Sequence, residues 1–315
     1  MVDPSKPESP VAAPLPPPAG RAAVSRRASG PIAVYSRSYP LLGLRPVEMG
    51  RLLAADITAP LFAVGAEPEL LVVSMPLGSL DDADDVLIGV GVGAEGGEIV
   101  VESPGEAIPS RIGLVAIGAP SGAPLPSDRA RVGDVVILTK PIGTGVLLEA
   151  WARGDASDSM DAALGSMMTS DRVAASVARQ VGAGAVFAVG AAGLLGTAAA
   201  LGAAAGVRVT IDPAEVPVAQ GAWELVGMSG RSAGAAAVIE VLGGLVDDGG
   251  HDADFVTMLA DPQLAGGLLM SVTADRSGEA LSALAAEGFF AEDIGEIVAA
   301  SGADGADQPG AVLLR

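Results

Sequence analysis

LTKPIGTG, Leu138–Gly145, is the stretch on which the reading of this 315-residue chain turns. Asp134–Leu138 (DVVIL) is a short apolar run rich in β-branched residues, set behind the turn Val132-Gly133, and reads as a buried strand. Val146–Arg153 has helical spacing. Between them, Lys140-Pro141 and two glycines make a tight strand-to-helix turn. Such a turn presents backbone N–H groups and the positive end of a helix, which suits an anion or phosphate. Lys140, the one lysine besides Lys6, would add a point charge. Lys140, Gly143, Thr144 and Gly145 are therefore candidate cofactor-binding residues. The spacing is not that of a phosphate loop, so a purely structural turn accounts for the same residues.

Outward from this turn, strands and helices alternate at irregular spacing, which argues α+β or mixed α/β rather than a regular doubly wound sheet. Upstream, strands are expected at Ile32–Tyr35, Leu70–Met75, Glu98–Glu102 and Gly113–Gly118. Pro46–Gly65 reads as a helix, with an apolar stripe from Val47, Leu52, Leu53 and Ile57, and Pro60 should end or bend it. Asp81–Gly91 reads as a second helix whose start is rich in Asp. Downstream, helices are expected at Met160–Arg179, Leu194–Ala205, Gln220–Leu225, Ala233–Leu245 and Ser277–Glu287. Strands are expected at Ala185–Val189, Val207–Ile211, Gly267–Val272 and Ile294–Ala299. Residues 181–207 carry no charge. Their many Gly and Ala make them a buried strand, a glycine loop and a buried helix rather than a membrane span.

Composition bounds the function. The net charge is −20: residues 1–51 hold seven basic and three acidic side chains, the remainder eleven and thirty-five. An acidic body repels nucleic acid. The chain has no Cys, so thiolate chemistry is excluded, and the composition fits a cytoplasmic protein with no membrane segment. His251, the only His, sits in an Asp- and Gly-rich loop. Eight prolines fall in residues 1–33, which read as a disordered Pro/Arg-rich tail. Residues 34–139 and 140–315 are then expected as two units.

Together, LTKPIGTG, GLLG (Gly193–Gly196), DPQLAGGLL (Asp261–Leu269) and IGEIV (Ile294–Val298) resemble selenophosphate synthetase, of the aminoimidazole ribonucleotide synthetase-like superfamily. Val216–Trp223 (VPVAQGAW) adds to the likeness, and Met49–Pro76 follows it more weakly. The resemblance implies a two-part α+β fold: an N-terminal mixed sheet or half-barrel of ATP-binding type, shortened here, followed by a C-terminal α/β sandwich. It also implies homodimers that use Mg-ATP, selenide and water to make selenophosphate, AMP and phosphate, with metal ions held by Asp. On this likeness Asp56 and Asp261 join the candidate cofactor-binding residues.

Against the family pattern, the chain has no counterpart to the reactive Cys or selenocysteine, and no catalytic residue is assigned. The family's paired Asp segment is missing, and the next family Asp falls near Arg37. The helix that carries an Asn and an Asp has Asp56 and Pro60. The Gly-Gly-His-Ser loop falls at ESPGE, Glu102–Glu106. The metal Asp before the buried helix falls at Ala188 and the closing His at Thr197. Mg²⁺ needs oxygen ligands, so no metal ligand is assigned and ordinary Mg-ATP binding is not expected. The first reading is a degenerate selenophosphate synthetase-like protein, a structural or regulatory partner that pairs with itself or an intact paralogue. The alternative is an ATP-dependent phosphotransferase of the same superfamily, acting on selenide or another acceptor, with Asp56, Asp82, Asp84, Asp85 and Asp261 as new ligands. An unrelated α+β protein, or an active selenophosphate synthetase by an unforeseen route, is the remaining reading.

Overall fold

The computed structural model describes residues 23–27, 30–75, 83–102, 111–155, 157–229, 232–302 and 305–315. The first unit is a five-stranded sheet. It is made of β1 (Ala23–Arg27), β2 (Gly30–Pro40), β3 (Ala66–Ser74), β4 (Glu98–Glu102) and β5 (Arg111–Pro120), in the order β1-β2-β5-β3-β4. β1, β2, β5 and β3 pair antiparallel and β4 joins β3 in parallel.

Two helices, α1 (Pro46–Phe62) and α2 (Ala83–Gly93), serve this sheet. Pro46 opens α1 with its φ already helical, and Glu48 lies in the positive first turn. Met49 to Phe62 is buried all round except Arg51, because α1 lies between the sheet, α2 and the second unit. Pro60 does not end α1 at once; the helix runs two residues further, to Phe62, where few i−4 bonds are left for the ring to break. Gly50 and Gly89 let α1 and α2 touch backbone to backbone: a Cβ on either would overlap a carbonyl oxygen, of Val86 or Val47.

The second unit is a seven-stranded sheet in the order β7-β10-β6-β11-β8-β12-β9. Its strands are β6 (Asp134–Leu138), β7 (Ala185–Ala188), β8 (Arg208–Ile211), β9 (Val246–Asp247), β10 (Leu268–Thr273), β11 (Glu292–Val298) and β12 (Val312–Leu314). The helices are α3 (Thr144–Arg153), α4 (Ser157–Met167), α5 (Arg172–Val181), α6 (Gly193–Ala205), α7 (Ala222–Ser229), α8 (Ala233–Leu242), α9 (Ala253–Ala260) and α10 (Ala274–Ala286). In β6, Val136 and Leu138 pack into the large core with α6, while Ile137 packs into a second core with α5 and α10. This period of two puts helices on both faces of the sheet, and the α+β class is as the sequence indicates.

Several expectations change. β1 and the start of β2 lie inside the stretch 1–33 taken as a tail, because Ala23–Arg27 pairs with Gly30–Val34 as a hairpin. The boundary expected at 139/140 moves back into the loop before Asp134, since β6 pairs with β10 and β11 of the second sheet. The helix expected over Met160–Arg179 is two helices, α4 and α5. They are broken at Thr169–Asp171, where a short polar run competes with helix hydrogen bonding. α9 was not expected; Asp252 caps it by accepting from the Asp254 N–H at 2.9 Å. Residues 1–22, Asp82 and Ser103–Glu106 lie outside the described residues. Among the described residues no helix is long and apolar enough to cross a membrane.

Candidate functional site

The polar side chains at the junction of the two units form one buried cluster around Asp56. Its Oδ2 accepts from Arg37 Nη1 and from the Tyr39 hydroxyl, both at 2.7 Å. Its Oδ1 accepts from the Ala265 N–H at 2.8 Å. Asp56 is 4% exposed and Arg37 21%. Arg37 and Tyr39 face the same way because they are two apart on a strand. Burial opposes the charge on Arg37, but Asp56, Tyr39 and Tyr35 outweigh it and hold its pKa above the ordinary value. Burial, reinforced by Asp56, pushes the Tyr39 hydroxyl well up, so it stays a donor.

Arg37 also borders the loop after β7: its Nη1 lies 3.8 Å from the place a Cβ on Gly190 would take. Ala188 is itself buried among apolar side chains, and the Thr197 hydroxyl donates to the Gly193 carbonyl.

The Leu138–Gly145 turn has the strand-to-helix form expected, but its donors face inward. Gly143 N–H and Thr144 N–H both donate to Gln263 Oε1, at 2.8 and 2.9 Å, and Val146 N–H donates to Asp261 Oδ2 at 2.9 Å. Thr144 Oγ1 donates to Gln263 and accepts from Leu264 N–H. Gly143 takes φ 98°, the left-handed region. Gly145 exists for contact: a Cβ there would overlap the Pro262 carbonyl and the Asp261 carboxylate. LTKPIGTG and DPQLAGGLL are therefore two halves of one interlock, in which Gln263 and Asp261 take the place an anion would take at the helix start.

Lys140 is turned away from solvent, 2% exposed. Its Nζ donates to the Thr169 carbonyl at 2.6 Å and ion-pairs with Asp171 at 3.0 Å. Burial raises the Asp171 pKa, opposed by Lys140. Burial likewise raises Asp261 to about 7, opposed by its bonds from Ser232 and Val146. Tyr39, Asp171 and Gln263 were not singled out from the sequence. Gln263 stood in a motif already read, and the i, i+2 spacing of Arg37 and Tyr39 was a signal in plain view.

Mg-ATP requires a group of oxygen ligands around a cation. Asp56 supplies a carboxylate, but all of its donors are internal and a guanidinium stands beside it. Asp84 and Asp85 are exposed in the first turn of α2. Among the described residues no three His, Cys, Asp or Glu side chains come together as a metal site. Among the described residues, the side chains at this junction do not gather the oxygen ligands that Mg²⁺ and a triphosphate require.

Residues 131–307 of this two-sheet α+β chain match the family model "AIR synthase related protein, C-terminal domain", which makes it an AIR synthase-related protein. The selenide, water dikinase of Carboxydothermus hydrogenoformans is 30% identical over 275 residues, covering 82% of this chain and 77% of that one. That of Pseudomonas straminea is 30% identical over 264 residues, covering 78% and 71%. The chain belongs to the selenide, water dikinase family. Among solved structures, hydrogenase maturation protein HypE in complex with ATP gives a TM-score of 0.65 at 18% identity, covering 90% of this chain and 82% of that one. Thiamine monophosphate kinase from Aquifex aeolicus gives 0.64 at 16% identity, covering 93% and 90%. At these identities the likeness is one of fold.

Proposed function

We propose that this chain is a family member that has exchanged the metal-assembled site for an internal ion pair, and that it acts in the cytoplasm as a non-catalytic partner. The observation that carries this reading is Arg37 bonded to Asp56 where the family pattern asks for an acidic residue. A guanidinium supplies the positive charge that neutralises Asp56, so Asp56 gains nothing from a divalent ion, and a cation entering beside Arg37 would be repelled. The inward-facing Lys140 and the Gln263 and Asp261 acceptors at the start of α3 point the same way.

The partner we propose is a second copy of this chain. Val34, Ile117 and Leu70 form one cross-strand row on the first sheet, and Val115, Val72 and Val100 form another, on the face opposite α1. These side chains are partly to well exposed, Val100 44%. An open aliphatic sheet face of this kind marks an association surface. An intact paralogue with a matching sheet is the competing occupant.

Calorimetric titration with ATP, ADP and AMP, with and without Mg²⁺, tests the catalytic half of the reading. No Mg-dependent binding up to millimolar nucleotide is expected. Mg-dependent ATP binding that disappears in Asp56→Asn would overturn it and bring forward the phosphotransferase alternative.

A further inference from the structure

Between residues 121 and 302 the described chain carries eight Lys and Arg side chains. Five are ion-paired with carboxylates: Lys140 with Asp171, Arg153 with Glu149 and Asp155, Arg172 with Glu67 and Glu95, Arg208 with Asp307, and Arg276 with Glu279. The other three are Arg129, Arg131 and Arg179, and all three line a single open cavity of ≈ 330 Å³. Within this stretch of a chain with 38 acidic and 18 basic residues, the arginines outside ion pairs converge on one cavity.

The rest of the wall suits an anion. Thr273, the N-cap of α10, lines the cavity and its hydroxyl makes no capping bond, so the positive end of a 13-residue helix adjoins it. Arg179 is steadied by one N–H donated to the Ala123 carbonyl at 2.7 Å and keeps its other donors. Asp134 is the one carboxylate in the lining; it is 5% exposed and its Oδ2 is held by the Arg131 N–H at 2.9 Å. The cavity shares no lining residue with the Asp56 cluster or with the Leu138–Gly145 turn.

We propose that this cavity binds a small phosphate-bearing anion. Guanidinium groups donate in a planar fork that matches phosphate oxygens, and a dianion offers acceptors to three arginines where a monocarboxylate offers fewer. The volume admits orthophosphate or a small phosphate monoester. The site is separate from the family site and does not depend on whether that site is catalytic.

The test uses the full chain, titrated with inorganic phosphate, with glycerol phosphate as a monoester, and with sodium chloride at matched ionic strength. Thermal melting and calorimetry are the readouts. We expect phosphate or its monoester to bind with Kd below about 1 mM and to raise the melting temperature beyond the chloride control. Tighter binding of the monoester would identify esters as the ligand, and equal binding would identify free phosphate. Arg129→Gln with Arg131→Gln, both at exposed positions, should leave the ligand-free melt unchanged and weaken binding by at least about tenfold. A shift that chloride reproduces, or one that the double variant retains, overturns the proposal. ATP binding that needs no Mg²⁺ and is lost in the double variant belongs to this cavity; Mg-dependent binding lost in Asp56→Asn belongs to the junction, so failures of the two readings remain distinct.

Discussion

Two carboxylates at the junction show how one residue type serves opposite ends. Asp56 has its counter-ion built in, Arg37 at 2.7 Å. Removing that counter-ion in Arg37→Met strands a carboxylate that is 4% exposed. Breaking a buried pair costs about 3–5 kcal/mol, and Arg37's partial exposure puts the expected loss near the lower end. Urea denaturation should show it, and Arg37→Met with Asp56→Asn should recover most of it. Asp261 has no ion-pair partner among the described residues, and burial lifts its pKa from 3.8 to about 7. Between those values the folded chain holds a proton that the unfolded chain has released, so this group's contribution to stability falls as pH rises from about 4 to about 7, then levels off. The full three-unit difference would amount to about 4 kcal/mol. Asp261→Asn should flatten that part of the stability–pH curve, seen as a smaller difference between unfolding free energies at pH 5 and pH 8 than in the parent. An unchanged slope would mean that Asp261 is not the titrating group.

At the scale of elements, the start of α3 is decided by contact rather than propensity. Gly145 lies inside a helix, where Ala is favoured by about 1 kcal/mol. Its missing side chain, however, admits the Pro262 carbonyl and the Asp261 carboxylate. Gly145→Ala should therefore lower stability by about 1–3 kcal/mol, as overpacking does, and a rise in thermal midpoint would refute the interlock. This element also shows what was legible in the sequence. The strand–turn–helix form of Leu138–Arg153 followed from β-branched residues, a Lys-Pro turn and glycines, all local signals. The destination of its N–H groups was not local, because Gln263 lies 119 to 120 residues away. Lys140 read as a phosphate contact for the same reason: nothing nearby in the chain announced Asp171. Conversely, Arg37 read as a charge reversal near a family position, and its identity alone drew attention to the place where it meets Asp56. Short polar cues such as Asp252 before α9 were readable but fell in a glycine-rich stretch that masked them.

For the whole molecule, the open face of the first sheet is the proposed association surface. Light scattering on a size-exclusion column should report a dimer for the parent chain. Val115→Asp with Val72→Asp places carboxylates at the centre of the aliphatic rows, and it should yield a monomer with its fold intact, because these side chains point away from the α1 core. A parent chain that stays monomeric at high micromolar concentration would refute self-pairing and leave the paralogue as the occupant. The α+β class of the two units was legible from the irregular alternation of elements. Their boundary was not, since β6 belongs by sequence to the run of strands before it and by hydrogen bonding to the sheet after it.

The bond from the Ala265 amide to Asp56 joins residues 209 apart in the chain. A closure that long is entropically late. It can form only after the first sheet, α1 and the far end of the second unit are already in place, so it belongs to the product side of the folding barrier. Weakening it should leave the refolding rate nearly untouched and speed unfolding instead. Stopped-flow traces of Asp56→Ala, which removes the acceptor of that bond, would then show refolding limbs close to the parent's and a raised unfolding limb. On this view the bond from Ala265 to Asp56 acts as a latch on the lifetime of the native state.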